Sequence, residues 1–368
     1  MTIDGNTAAA IAEIDGLKAK VLALKTARGV AEEQRRDSWR DIADHAAALS
    51  PAAQPLARVL AKTEIVDAIK TYDIASKAAQ DAQKSHRGIG ARAALLGFLA
   101  TMASAALLFL QWKSTTWEGW TLNLVHFVCL GAALLSAGLL WLRKPSSEWA
   151  NARARSEHMR VAHFDAILDA PDNAGSSLAG ALPFKVLALE YVRVYLIEDQ
   201  RDWHAKRSND FLWPTLGNAM LRTFGMVLLL AAMAPALFEL LMSPALASLP
   251  LAVSQWAAFL KTWIAAQQAA LLGVVGGALQ TLSTSLGTLS LSSRNRRSYQ
   301  RIAHMLTHYL DPPLTEARSA AVRGDERGVD RYWWAIRTEL VAENRAWSEA
   351  LGMSSAYLID ELPKSAGA

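Results

Sequence analysis

Histidines and carboxylates are the side chains here that could do acid–base or metal chemistry, and their spacing offers two candidates. His304 and His308 stand four residues apart, which places both on one face of a helix and could hold a metal ion. No third ligand is evident in the pattern, so two surface histidines explain the pair better. Asp199, Asp202 and His204 lie close together, but such a run is typical of a solvated helix face. We therefore predict no metal site and no catalytic residue.

The sequence motifs of catalysis and nucleotide binding are missing. The chain holds no GxxxxGK[ST], GxGxxG, HExxH, CxxC or GxSxG pattern. The single cysteine, Cys129, lies in an apolar run, which excludes a disulfide framework and a cysteine-based metal site. We predict a protein that is not an enzyme and needs no cofactor.

The strongest spacing signal is a polar ridge inside an apolar stretch. Residues 262–293 carry no formal charge and would span about 48 Å as a helix, against about 30 Å for the hydrocarbon core of a bilayer. Small residues let another helix approach closely, and polar groups in lipid need a partner or water. The ridge is therefore either a helix-packing seam or the lining of a pore. At helical spacing it comprises Ala266, Ala270, Gly273, Gly277, Gln280, Thr284 and Thr288.

A basic cluster of Arg294, Arg296 and Arg297 closes this stretch. Basic clusters can bind nucleic acid, but a cluster beside a transmembrane helix is better explained by membrane topology and anionic headgroups. We therefore predict that this basic flank faces the cytoplasm, with the lipid bilayer as its partner and no nucleic acid.

Composition indicates a membrane protein with large water-exposed parts. Apolar residues make up 52% of the chain, yet 20% of residues are charged, and the charged residues avoid a few long windows. A charged helix at about 184–211 leads into the third window. We predict an all-α membrane protein with four transmembrane helices as two hairpins, and with long helices that extend into the cytoplasm. The four windows lie at about 93–112, 121–142, 220–242 and 262–293.

The distribution of basic residues predicts the orientation. Lysines and arginines near the window ends fall on one side, except for Lys113 and Lys261. Because basic loops stay in the cytoplasm, both termini and the central linker are predicted to be cytoplasmic.

Short motifs on both sides of the first hairpin resemble a known family. Before the hairpin stand Tyr72-Asp73, Ala75-Ser76 and Ala79-Gln80, and after it Trp149, Arg153-Ala154, Ser156-Glu157 and Arg160. This pattern resembles the first of two tandem SLATT domains, the SMODS- and SLOG-associating two-TM effector domains of bacteria.

The second half of the chain resembles the partner domain. Asp199-Gln200, Trp203-His204 and Lys206 are similar to its DQxxWYxxK run, although His204 replaces the aromatic residue. Glu339, Glu343-Asn344 and Trp347 are similar to its closing ExxxExxxW helix. The predicted organisation is a cytoplasmic helical region at 1–62, a first SLATT-like two-TM unit at 63–170, a linker at 171–182, a second SLATT-like two-TM unit with a cytoplasmic helical tail at 183–352, and a C-terminal tail at 353–368.

The resemblance implies an oligomeric effector in the bacterial inner membrane that forms pores or disrupts the membrane in antiphage or conflict defence. Its signal would come from a nucleotide-sensing partner or a nucleotide second messenger, received by residues 1–62 or by a separate sensor protein. The alternative is a non-conducting membrane scaffold that recruits cytoplasmic partners. Gln280, Thr284 and Thr288 discriminate between the two, because a packing seam would not need polar atoms at all three positions.

Overall fold

A computed structural model describes residues 5–32, 37–110, 116–143, 145–171, 181–241, 266–290 and 292–350. Every regular element in these ranges is helical, which confirms the all-α prediction. Residues 172–180 of the predicted linker and the predicted tail at 353–368 lie outside the described residues.

The described residues form α-helices that are joined in two places by turns of another helical type. A 3-10 turn at Pro51–Ala53 precedes α4, and a π-helical turn at Arg193–Glu198 joins α8 to α9. In chain order the α-helices are α1 (Gly5–Asp15), α2 (Leu17–Ala27), α3 (Ile42–Ala48), α4 (Gln54–Leu60), α5 (Thr63–Leu110), α6 (Trp117–Arg143), α7 (Pro145–Leu168), α8 (Phe184–Val192), α9 (Asp199–Asp210), α10 (Leu212–Leu241), α11 (Ala266–Ser290), α12 (Ser292–Leu310), α13 (Pro313–Val322) and α14 (Glu326–Ala350).

Helix α8 is the centre of the first of two units. This unit combines Met1–Ala82, Ser146–Ser208 and Arg297–Ala368. Every side chain of α8 is buried, Lys185 and Glu190 included, because its sequence FKVLALEYV is apolar on nearly all sides. Helices α1, α4 and α13 pack against it.

The core around α8 draws on segments that are far apart in the sequence. Its members include Ile14, Leu56, Phe164, Ile302 and Ile336, which come from α1, α4, α7, α12 and α14. The helices of residues 5–60 therefore belong to the same core as α8. The charged helix expected at 184–211 is charged on its surface only over α9, whereas residues 184–197 are buried. The predicted domain boundaries at 62, 170 and 182 stay predictions.

The second unit combines Gln83–Pro145 and Asn209–Arg296, which include α6, α10, α11 and the part of α5 after Ala82. Three helical stretches are long and apolar enough to cross a membrane, namely Thr63–Leu107, Trp117–Leu140 and Phe184–Ala232. Their length and composition support the prediction of a membrane protein with transmembrane helices. The described apolar part of α11, Leu271–Leu286, is shorter. A fourth crossing, the hairpin arrangement and the cytoplasmic termini therefore stay predictions.

The surface of α6 is apolar and exposed. Phe127 and Leu135 are each 73% exposed, and the most apolar window of this helix has no buried residue. A continuous apolar surface of this kind is unfavourable in water and favourable in lipid.

Candidate functional site

Helices α10 and α11 of the second unit pack along a close seam. A Cβ atom added to Gly276 would lie 2.8 Å from the carbonyl oxygen of Gly225 and 3.0 Å from two atoms of Leu229. A Cβ atom added to Gly225 would lie 3.0 Å from the carbonyl oxygen of Gly276. The two glycines therefore let the two backbones touch, as small residues do where membrane helices pack.

Polar side chains of α11 also bond across the seam. Gln280 Nε2 donates a hydrogen bond to the carbonyl oxygen of Arg222 at 2.6 Å. Ser283 Oγ donates one to the carbonyl oxygen of Asn218 at 2.9 Å, and Ser283 is buried. Each of these polar groups thus has a partner within the protein and needs no water.

The seam divides the predicted ridge into two faces. Gln280 lies in the seam, whereas Thr284 is exposed and a Cβ atom on Gly277 would meet no described atom within 4 Å. A Cβ atom on Gly273 would make an ordinary contact of 3.5 Å with Ala232. The side chain of Thr288 lies outside the described residues.

Sequence reasoning missed Gly276 and Ser283, although the spacing of 276, 280 and 283 is helical and could have identified this face. The sequence does not single out Gly225, because its close contact is visible only when α11 lies against α10.

The predicted basic flank is only partly described. Arg296 is half-buried and Arg297 is exposed, while the side chain of Arg294 lies outside the described residues. An exposed arginine after an apolar helix agrees with a position at a membrane surface.

A histidine joins the other two membrane-length helices. Nδ1 of His126 on α6 lies 2.9 Å from Ser104 Oγ and 2.9 Å from the carbonyl oxygen of Ala100, both on α5. An ionisable side chain in an apolar helix is costly unless it is bonded, and these contacts satisfy one ring nitrogen. Sequence reasoning did not single out this contact, because lone histidines and serines are common.

The first unit holds a buried charged centre on α8. Glu190 is fully buried and accepts hydrogen bonds from Arg193 Nε at 2.6 Å and from Arg318 Nε and Nη2 at 2.5 and 2.9 Å. Arg193 also pairs with Asp15 and Glu198. Burial disfavours the charged guanidinium, but the surrounding carboxylates outweigh burial and raise the pKa of Arg193. Each charged group of the centre therefore has a partner of opposite charge.

A second cluster of polar side chains contains Tyr191, the neighbour of Glu190 in the sequence. Nδ1 of His45 is 2.7 Å from the hydroxyl of Tyr191, and Nε2 is 2.9 Å from Asp37 Oδ1. Tyr195 donates a hydrogen bond to Asp37 Oδ2 at 2.8 Å. Burial, together with the nearby Asp37, raises the pKa of both tyrosines. His45 and Tyr191 are fully buried, so this group stabilises the core and has no access to a substrate.

The residues that carry the family resemblance meet in the first unit. Burial, followed by Arg160 and Arg153 of α7, lowers the pKa of His204 on α9 to about 3. Burial also raises the pKa of Glu343 on α14, against the effect of Arg153. Rings of His204 and Tyr299 of α12 lie 5.3 Å apart. Four helices, α7, α9, α12 and α14, therefore share one buried polar cluster.

Two other residues of the family motifs, Trp149 and Asp199, make a packing contact and an ion pair. Trp149 is buried and packs with Ala79 and Ala150, while the side chain of Trp347 lies outside the described residues. Asp199 pairs with Lys18 at 2.6 Å.

The two chemical candidates of the sequence do not form sites in the described ranges. His304 and His308 are both exposed, and the described residues contain no group of three metal-ligating side chains. Asp202 pairs with its neighbour Arg201, whereas His204 is buried. Asp199, Asp202 and His204 therefore do not act as one group.

Comparisons with protein-family models, with curated proteins and with solved structures found no match to this chain.

Proposed function

We propose that the chain is an oligomeric inner-membrane effector of bacterial antiphage or conflict defence, which forms a pore or disrupts the membrane when a partner signals. Its three membrane-length helices and its resemblance to tandem SLATT domains support the proposal. In it, α11 makes a fourth crossing, the crossings pair as two hairpins, and both termini are cytoplasmic. A separate sensor protein or a nucleotide second messenger then acts on the first unit.

The second face of α11 carries this proposal. Gly276, Gln280 and Ser283 of α11 contact α10. Gly277 and Thr284 lie on the other face, and a Cβ atom on Gly277 would have no described neighbour within 4 Å. Small and hydroxyl-bearing residues are unusual choices for contact with lipid, but they suit packing between copies or contact with water. We infer a homo-oligomer organised around this face, which also carries Thr281 and Thr288 by helical spacing.

One observation favours the alternative, a non-conducting scaffold. Gln280, which a pore would hydrate, bonds to a backbone oxygen within the same chain. If Thr281 and Thr284 also pack between copies, the ridge holds the assembly together without conducting. The cytoplasmic helices would then recruit partners.

The two functions differ in the behaviour of two variants. A variant with Leu at Thr281, Thr284 and Thr288 should insert and assemble but lose ion flux from liposomes, because an apolar constriction can close a pore by dewetting. The matched control, Gln280→Leu, should keep the flux, because Gln280 lies in the seam. Both variants are compared with wild type in growth arrest and in dye release.

A different outcome would support the scaffold. If the wild-type chain never permeabilises liposomes, even with candidate cyclic nucleotides or a co-expressed sensor, the pore proposal is wrong. Equal flux from the triple variant and wild type would show that this face of α11 does not line the path.

A further inference from the structure

The helix that leaves the core of the first unit contains one extra residue. From Phe184 to Asp210 the chain is helical without a break, but the turn Arg193–Glu198 is π-helical. Hydrogen bonds in a π-turn run from residue i to i+5, so the turn accommodates one residue more than an α-helical path of the same length. Such a turn has an alternative, since the same residues can form an α-helix if one flank moves.

The flank before the turn is fixed. All residues of α8 are buried, Glu190 is held by Arg193 and Arg318, and Tyr191 bonds to His45. Moving α8 would break several buried hydrogen bonds and disturb a close-packed core, which makes movement on this side very costly.

The flank after the turn is held less firmly than α8, although Tyr195 in the turn bonds to Asp37 and the ring of His204 packs near that of Tyr299. In α9 only His204 and Ser208 are buried. The ion pair at its start, Lys18 with Asp199, has side chains that are 39% and 32% exposed. Pairs as exposed as this contribute little, about 0–1 kcal/mol. Movement at the π-turn would therefore displace α9 and leave α8 in place.

We propose that the π-turn at Arg193–Glu198 is a register switch: its conversion to an α-turn advances α9 by one residue while α8 stays fixed. One residue of an α-helix corresponds to a rise of about 1.5 Å and a rotation of about 100°. Along the chain, only Phe211 separates α9 from α10. This inference rests on the proposed function, because it supplies the movement that a gated membrane effector needs.

A one-residue shift of α9 would change which of its side chains occupy the two buried positions. Residues after the turn would each take the place of the residue that follows them, so Trp203 would replace His204. Nδ1 of His204 is buried without a hydrogen-bond partner among the described residues, and burial beside two arginines lowers the pKa of this imidazole to about 3. The ring of Trp203 already lies 5.4 Å from that of Tyr299. An indole in the same place carries one polar atom, the Nε1–H donor, whereas the imidazole carries two ring nitrogens. Arg207 would replace the buried Ser208, so its stem would be buried and its guanidinium would have to reach the surface.

A one-residue deletion tests whether the turn holds a spare residue. Deleting Leu196 should convert the π-turn to an α-turn with both flanks in their present places. The full-length variant should therefore still unfold cooperatively, at a temperature lowered only by the loss of the buried Leu196 side chain. The matched control is deletion of Ala188 in α8, where no spare residue exists, and this variant should fail to fold. Equal loss of folding in the two variants would overturn the proposal.

A distance measurement tests the movement itself. Spin labels at Ala47→Cys and Ala205→Cys, in a Cys129→Ser background, report α9 against the fixed side of the first unit, and both positions are exposed. Wild type in liposomes should show two distance populations, whereas the Leu196 deletion should show one. A single population in wild type under every condition, with candidate nucleotides or a co-expressed sensor included, would overturn the switch.

Ion flux from the same liposomes separates the two proposals. Where wild type conducts, loss of flux in the Leu196 deletion with folding intact is the expected result, and flux equal to that of wild type would overturn the switch. If wild type shows two distance populations but no flux, the proposed pore is wrong and the register switch stands.

Discussion

The α10–α11 seam and the surroundings of α8 are opposite solutions to packing a helix. At the seam, Gly225 and Gly276 bring two backbones into contact, and side chains bond to backbone oxygens. Around α8 the space is filled by large side chains such as Tyr191 and Leu187, and charge is buried only with partners. The seam depends on glycines, which have no side chain, whereas the core depends on large side chains.

The difference follows from the solvent. In water, burying one large apolar side chain contributes about 1.5–3 kcal/mol, so a bulky core is favourable enough to include the paired Glu190. In lipid the surroundings are as apolar as the side chains, and close packing and hydrogen bonds must hold helices together. Substitutions should therefore have opposite effects in the two regions, since enlargement harms the seam and loss of a group harms the core.

The largest effect is expected at the charged centre. Glu190→Gln removes the carboxylate that pairs with Arg193 and Arg318, so two guanidiniums lose their buried partner. We expect a loss of about 3–5 kcal/mol in the free energy of unfolding. The control Lys70→Ala removes an exposed pair with Asp67 and should cost less than about 1 kcal/mol. Denaturant unfolding of the detergent-solubilised chain measures both, and similar values would show that Glu190 is not a key partner.

The second-largest effect is a loss of folded-state stability as pH falls. Burial, followed by the nearby His45, lowers the pKa of His163 in the folded protein to about 3, from about 6.5 for a free imidazole. The folded state therefore favours neutral His163, and stability that is present above pH 6.5 is lost as pH falls toward 3. We expect up to about 1.4 kcal/mol per pH unit from His163, and the same from His204.

Thermal unfolding between pH 7 and pH 4.5 measures this loss. His163→Gln and His204→Gln should each flatten the pH dependence, while the exposed His308→Gln should leave it unchanged. A wild-type stability that does not vary over this range would contradict the burial of neutral imidazoles.

A smaller effect is expected from enlargement at the seam. Gly276→Leu should cost about 1–3 kcal/mol, because a Cβ atom there would already overlap Gly225. Gly277→Leu, one residue along, should leave the α10–α11 contact intact, because a Cβ atom there has no described neighbour within 4 Å. Disulfide cross-linking between cysteines placed on α10 and α11 reports the contact. Equal cross-linking in both variants would show that the seam tolerates bulk.

The smallest effect is expected from the polar bond of the seam. Gln280→Leu removes one hydrogen bond to Arg222, and such bonds are worth about 0.6 kcal/mol on average in membrane proteins. The heat stability of the solubilised protein should fall only slightly. A loss as large as that of Gly276→Leu would mean that hydrogen bonding, and not close packing, holds these two helices together.

Long uncharged windows at helical spacing predicted the all-α class and four transmembrane helices, and three of the four windows lie in helices of membrane length. These windows were not sufficient to predict the seam. Gly276 and Gly277 are adjacent, and periodicity cannot choose between adjacent small residues without the partner helix. The burial of α8 was missed for a similar reason, since Lys185 and Glu190 look solvated until Arg318, 128 residues after Glu190, is placed beside them.

The core of the first unit also has a consequence for biosynthesis. Its members Ile302 and Ile336 are translated after every apolar window, whereas α8 and the N-terminal helices are translated earlier. The ribosome therefore releases α8, apolar on nearly all sides, long before the residues that complete its cover exist. Until Ile302 and Ile336 have been translated, the core of the first unit stays incomplete. Closure of this core therefore marks a chain whose membrane segments have all been made.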